Sequence, residues 1–193
     1  VTFSNSTNGT ASDGLGGTDT FTGIEGIEGT DFADTINASA ATGETNLQGA
    51  GGNDNIIGGS DRDFLTGGAG NDTLDGGVGG DDTLEGGDGA DTFVYQGGHD
   101  VIVDYDADLD TIQLDLDTFT DAQIQTAFAN AADGTTAGDV IVTFGANNSL
   151  TFKSALVEDI RQIVPSDGPF IPTAPARPPA WTVGDPHLQT LDG

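Results

Sequence analysis

Eight aspartates recur along the chain at a nearly constant interval: Asp34, Asp54, Asp63, Asp72, Asp82, Asp91, Asp100 and Asp110, with Thr45 standing in the one gap of the series. Most steps are nine residues, and one or two extra residues precede Thr45, Asp82 and Asp110. The stretch before most of them is rich in glycine. No cysteine is present, and the two histidines, His99 and His187, are far apart in sequence. Carboxylates and turn carbonyls are therefore the donors on offer, and an oxygen-only set suits a hard cation, whereas zinc has almost nothing to use. Glycine loops that supply six or more oxygens in irregular geometry favour calcium over magnesium, which demands a near-ideal octahedron and keeps its waters.

Two residues after each member of the series stands a large apolar side chain: Ile36, Leu47, Ile56, Leu65, Leu74, Leu84, Phe93, Ile102 and Ile112. So many glycines disfavour a helix, and strict two-residue alternation does not persist over nine residues. The period predicts a solenoid, with a glycine-rich turn and a very short strand in each unit. One Ile or Leu per unit is too little apolar surface to offset the ordering of nine backbone residues, several of them glycine. Something that binds only the folded state must make up the difference.

Composition points the same way. Of 193 residues, 32 are acidic and four basic, a formal net charge of −28, so nucleic acid and anionic lipid would be repelled and cations attracted. With 31 glycines and 35% hydrophobic residues, a large conventional core is not expected. Between Gly29 and Gln113 the only basic side chain is Arg62, so the metal-free repeats repel themselves. No apolar run approaches a membrane span, and neither a signal peptide nor any methionine is present, which leads us to expect a processed or excised part of a longer polypeptide with adjoining domains.

The units "GAGGNDNII" (49–57), "GGSDRDFLT" (58–66), "GGAGNDTLD" (67–75) and "GGDGADTFV" (86–94) resemble the RTX calcium-binding nonapeptide G-G-x-G-x-D-x-U-x, with looser copies at 29–37 and 95–103. The resemblance implies an all-β fold, a right-handed parallel β-roll in which two units make one turn and each calcium lies between a loop and the loop two units later. It implies that the first loop gives carbonyls two and four residues before its aspartate, and the later loop those three and five before. Carried over, one site uses Ala50, Gly52 and Asp54 with Gly67, Ala69 and Asp72. A second uses Gly59, Asp61 and Asp63 with Gly77, Gly79 and Asp82, and a third Gly68, Gly70 and Asp72 with Gly86, Asp88 and Asp91. Gly49, Gly51, Gly80, Gly87 and Gly89 and the outer aspartates Asp34, Asp100 and Asp110 complete the candidate set. Thr45 lacks a carboxylate, so its pairing with Asp63 is expected to be weak or empty. Inserted residues near Gly76 and within "DYDADLD" (104–110) leave the ligands of the Asp82/Asp100 and Asp91/Asp110 pairings open. The latter run also has the acid spacing of an EF-hand, but Leu109 and Asp115 stand where that loop needs glycine and glutamate, so a divergent final turn is expected.

The expected organisation is an N-terminal lead-in and capping coil (1–28), the roll (29–113), a C-terminal cap (114–164), a proline-rich linker (165–182) and a last segment (183–193). In the cap, Thr120 is read as helix N-cap with Gln123 completing a capping box, Ile124 and Phe128 on one face and Gly134 as stop, followed by a hairpin over 139–152. "VGDPHLQTLDG" is similar to the opening of von Willebrand factor type D domains. Its labile Asp-Pro bond makes Asp185 and Pro186, assisted by His187, a self-cleavage candidate, against the alternative of an ordinary strand start.

No G-x-S-x-G, zinc constellation or histidine beside a nucleophile is evident, so a noncatalytic calcium-binding module is expected. The resemblance implies type I export, folding in extracellular calcium and a spacing role in a secreted or surface protein. Two rivals remain: an accessory domain of a secreted hydrolase or polysaccharide-modifying enzyme, and an adhesin or matrix segment with a carbohydrate or cell-surface target.

Overall fold

The computed structural model describes residues 2–5, 8–11, 19–21, 26–115, 119–134 and 138–161. The linker and the 183–193 segment, with Asp185, Pro186 and His187, lie outside the described residues. The chain begins with β1 (Thr2–Asn5), β2 (Asn8–Ala11) and β3 (Asp19–Phe21), and then coils through β4 (Gly26–Glu28) and β5 (Thr35–Asn37). The following coils are β6 (Asn46–Gly51) with β7 (Asn55–Ile57), β8 (Phe64–Ala69) with β9 (Thr73–Asp75), and β10 (Thr83–Asp88) with β11 (Thr92–Tyr95). A last coil joins β12 (Gly98–Ile102) to β13 (Thr111–Leu114). Beyond it come α1 (Asp121–Ala129), β14 (Ala132–Asp133), β15 (Val140–Gly145), β16 (Asn148–Phe152) and α2 (Val157–Arg161).

Successive coils stack as a parallel β-roll. One eight-stranded sheet runs β13-β11-β9-β7-β5-β1-β2-β3, the other β14-β15-β16-β12-β10-β8-β6-β4. The nine-residue period is thus half a coil, because each unit contributes a strand to the sheet opposite its neighbour's. Register keeps the apolar position in line: Ile36, Ile56, Leu74, Phe93 and Ile112 pair along one sheet. Ile27, Leu47, Leu65, Leu84 and Ile102 pair along the other. All but Ile27 are buried, which leaves a core one side chain wide between the sheets. The upstream segment differs from a plain lead-in coil, since β1, β2 and β3 are antiparallel and β1 joins β5 in parallel.

At the C-terminal end Thr120 caps α1 and forms the capping box with Gln123, whose side chain accepts from the Thr120 N–H at 3.0 Å. Ile124 and Phe128 are buried. Gly134 does not end the helix: α1 stops at Ala129 with Asn130 as C-cap, and Gly134 instead donates to Asp139 O at 2.7 Å beyond the short strand β14. The hairpin forms, and its second strand does more than cover the end. β16 runs parallel to β12 and extends the second sheet, and Tyr95, Phe119, Phe128 and Phe144 pack ring against ring below it.

Candidate metal-binding rims

Two rims flank the roll where the chain crosses between sheets. The first carries Asp34, Asp54, Asp72, Asp91 and Asp110, the second Thr45, Asp63, Asp82 and Asp100. All but Asp34 are buried. Every aspartate after Asp34 accepts through Oδ1 from the backbone N–H of its counterpart one coil earlier. Along the first rim these bonds are Asp34 to Asp54 at 2.7 Å, Asp54 to Asp72 at 2.8 Å, Asp72 to Asp91 at 2.8 Å and Asp91 to Asp110 at 2.9 Å. Along the second they are Thr45 to Asp63 at 2.7 Å, Asp63 to Asp82 at 2.8 Å and Asp82 to Asp100 at 3.0 Å.

The turn glycines place carbonyls into the same layers. A Cβ built on Gly68 would strike Ala50 O, and one on Gly70 would strike Gly52 O, so both carbonyls project toward the following coil. From that coil Gly67 O faces back to Gly49, 2.7 Å from where a Cβ would stand, and Ala69 O accepts from Gly52 N at 2.8 Å. Ala50, Gly52, Asp54, Gly67, Ala69 and Asp72 thus share one layer. The next layer repeats it: Gly68 O and Gly70 O face Gly87 and Gly89, Gly86 O faces Gly67, and Asp88 O accepts from Gly70 N at 2.8 Å, with Asp72 and Asp91 alongside. The positive φ of Gly68 (114°) and Gly87 (96°) is what turns these peptides. Ala50 adopts the same region at φ 76° despite its Cβ.

On the second rim the extra residue changes the expected register. Gly59 O and Asp61 O face Gly77 and Gly80, but it is Gly76 O that faces back to Gly58. Gly77, at φ 104°, occupies the place of Gly68 and Gly87 rather than that of Gly67 and Gly86. Counting back from Asp82 therefore selects Gly77 and Gly79, whereas strand pairing selects Gly76, because the insertion lies inside the turn. In the last layer of this rim Gly80 O faces Gly98, while Gly98 O accepts from the Tyr95 hydroxyl at 2.9 Å and Gly98 N donates to Asn148 at 3.1 Å.

Sequence reasoning missed three features. Asn53 and Asn71 form a second ladder on the first rim, each Oδ1 accepting at 3.0 Å from the N–H at the same register one coil later, in the direction opposite to the aspartates. Asp104 receives Gly86 N at 2.9 Å and Gly87 N at 2.7 Å, so its carboxylate supplies acceptors that a further strand would have given. His99, expected to have no nucleophile beside it, has Nδ1 2.8 Å from Ser149 Oγ, because the β12–β16 register sets the two residues side by side. That contact is on an exposed face and ties the cap to the roll. The aspartates of 104–110 diverge: Asp106 N donates to Asp110 Oδ2, Asp108 N to Asp106 Oδ1, and Asp104 reaches back to β10. This is a divergent turn rather than an EF-hand.

The residues fit a hard cation. Among the described residues no three His, Cys, Asp or Glu side chains gather into a metal cluster, so a site must combine backbone carbonyls with one carboxylate from each of two coils. Asp54, Asp72 and Asp82 each bury an Oδ2 that has no hydrogen-bond partner. Their residues are 3%, 1% and 0% exposed, a costly state for a carboxylate unless a cation faces it. The space beside them is kept open by glycine, since a Cβ on Gly49, Gly67 or Gly76 would strike the same oxygens.

Without metal the ladders resist ionisation. Burial, then the charges of Asp100, Asp63 and Asp81, pushes Asp82 up to about 8, and burial with Asp81 and Asp75 pushes Asp100 up to about 7. Asp54, Asp63, Asp72, Asp91 and Asp110 are also raised, with burial the first cause in each.

A parallel β-roll with stacked aspartate and glycine-carbonyl layers defines a class of cation-binding solenoid. Residues 48–81 and 79–102 match the family model of the RTX calcium-binding nonapeptide repeat (4 copies), so this part of the chain is built of RTX repeats. A comparison with curated proteins finds no match. Among solved structures the chain is similar to the AlgE6R3 subunit of the Azotobacter vinelandii mannuronan C5-epimerase, at 23% identity over 82% of this chain and 90% of that one, with a TM-score of 0.34. It is also similar to the extracellular lipase LipA of Serratia marcescens, at 17% identity over 82% of this chain and 26% of that one, with a TM-score of 0.36.

Proposed function

We propose that this chain is a calcium-dependent folding module of a secreted or cell-surface protein, extended when calcium is scarce and a rigid spacer between adjoining domains when it is plentiful. The observation that carries the reading is the orphaned, buried Oδ2 of Asp54, Asp72 and Asp82, each set among inward-turned carbonyls. Calcium would be held between coils by Ala50, Gly52 and Asp54 with Gly67, Ala69 and Asp72, and by Gly68, Gly70 and Asp72 with Gly86, Asp88 and Asp91. On the second rim Gly59, Asp61 and Asp63 would act with Gly76 and Asp82. A bound divalent ion supplies positive charge that the carboxylates lack. The chain's own part is to present oxygens from two coils at once, so that one ion fixes the relative position of both.

Export in the unfolded state followed by folding outside follows from that coupling, since cytosolic calcium is too low to populate the roll. Among the described residues no helix is long and apolar enough to cross a membrane. The residues on the rims serve binding rather than catalysis. The test is circular dichroism with calorimetry of the full chain. Calcium should convert a coil-like spectrum to a β spectrum with several ions bound, and an unchanged spectrum with no heat would refute the module.

A further inference from the structure

The junction between the first coil, β4 with β5, and the second, β6 with β7, differs from those downstream. Thr45 stands where later coils carry aspartate, and it is 1% exposed. Its N–H and its hydroxyl both donate to Asp63 Oδ1 at 2.7 Å. Ala38 holds the position of Gly58: its N–H donates to Ile57 O at 2.7 Å, as that of Gly58 donates to Asp75 O at 2.7 Å. At Gly58 a Cβ would lie 2.8 Å from Asp63 Oδ2 and against Gly76 O. At Ala38 that methyl is real and fully buried, and Thr45 presents no second carboxylate oxygen for it to meet.

On the first rim the junction keeps an aspartate pair, Asp34 and Asp54, and a threonine bonds within the loop of the first coil. Thr30 N and Thr30 Oγ1 donate to Asp34 Oδ2 at 2.7 and 2.8 Å, and Asp54 Oδ1 accepts from Asp34 N. The aspartate oxygens named at this junction therefore have protein donors. Those of Asp54, Asp72 and Asp82 that face later junctions have none, although Asp63 Oδ2 accepts from Gly59 N as Asp34 Oδ2 accepts from Thr30 N. A hydroxyl costs little to bury once it is bonded and brings no charge, so the second rim of this junction lacks the carboxylate repulsion found at the others, whereas on the first rim burial, then the charge of Asp34, still raises Asp54.

We propose that the second rim of the first junction is a metal-independent clasp. The Thr45 hydroxyl and the Ala38 methyl take the place of a cation, so residues 35–65 keep their coil when calcium is withdrawn and present an ordered edge on which the following coils dock as they bind metal. The inference rests on the calcium reading of the later layers and goes beyond it by giving folding a starting point and a direction.

Hydrogen exchange of the full chain in excess chelator tests it. The amides of Asn55, bonded to Asp34 O, and Phe64, bonded to Thr45 O, should exchange at least about tenfold more slowly than those of Thr73, Thr83 and Thr92, which bridge later junctions. Equal exchange at all five would overturn the clasp. Thr45→Val should abolish the difference and Thr45→Ser should keep it; a difference that survives Thr45→Val overturns the role of the hydroxyl. If Thr45→Val does not fold even in calcium, Thr45→Ser and the unaltered chain decide. The double variant Ala38→Gly with Thr45→Asp should bind one more calcium ion by calorimetry, and an unchanged number would mean that the junction had no vacancy to restore. Failure of calcium to fold the whole chain would refute the module instead, and the chelator pattern would still judge the clasp.

Discussion

Asp72 Oδ1 accepts the backbone N–H of Asp54 at 2.8 Å, while Asp72 Oδ2 is buried with no partner. One carboxylate therefore serves two layers: one oxygen ties its coil to the preceding one, and the other faces the layer shared with Asp91. Substitution at Asp72 is expected to damage both. Asp72→Asn keeps an acceptor for Asp54 N but removes the charge, and calcium affinity measured by calorimetry should fall by roughly tenfold or more. Asp108→Asn, on an exposed part of the terminal turn, should leave it unchanged.

The glycine cradle gives a second prediction. Gly67→Ala would put a methyl against Asp72 Oδ2 and 2.6 Å from Gly86 O, so the calcium-induced β signal should shrink and its midpoint move to higher calcium. Ala50→Gly should act in the other direction. Ala50 holds φ 76°, a conformation that costs an L-residue about 1–2 kcal/mol, and glycine relieves it at a smaller entropic cost. Urea unfolding in saturating calcium should show a gain of about 0.5–1 kcal/mol.

The dependence on pH has a defined sign. Asp82 and Asp100 titrate above the ordinary carboxylate range in the metal-free fold, so that fold binds more protons than the unfolded chain. Its stability is therefore fullest below the unfolded value near 4 and is lost as pH rises through about 7 to 8. Calcium needs the ionised form, so the calcium concentration at half-folding should fall over the same interval. Circular dichroism in chelator from pH 4 to 9, repeated as calcium titrations, checks both trends. A metal-free β signal that grows with pH would contradict them.

The terminal turn makes a fourth. Asp104→Ala leaves Gly86 N and Gly87 N without their acceptors, and because the Gly87 bond is exposed and the Gly86 bond only partly buried the loss should be about 1 kcal/mol in calcium-saturated denaturation. The number of bound ions should not change, since Asp104 completes the hydrogen bonding of β10 rather than a metal layer.

The interval between aspartates and the apolar residue two places on made the solenoid, its core and its cation chemistry readable from the chain alone, because each repeat meets the same local constraints. Helix capping by Thr120 and Gln123 was readable for the same reason, as it depends on residues three apart. Whatever depended on which coil lies above which was not. Gly76 replaces Gly77 opposite Gly58 because strand pairing, not the distance to the next aspartate, sets the register across an insertion. The approach of His99 to Ser149 and of β16 to β12 joins residues 50 positions apart, and no periodicity encodes that distance. Thr45 looked like a gap in a series; stacked beneath Asp63 with Ala38 filling the space beside it, it is a hydrogen-bonded joint. Local repetition determined the kind of coil and the ions suited to it, while three-dimensional stacking decided which oxygens remain without a partner, since a group's satisfaction depends on the neighbour that folding brings to it.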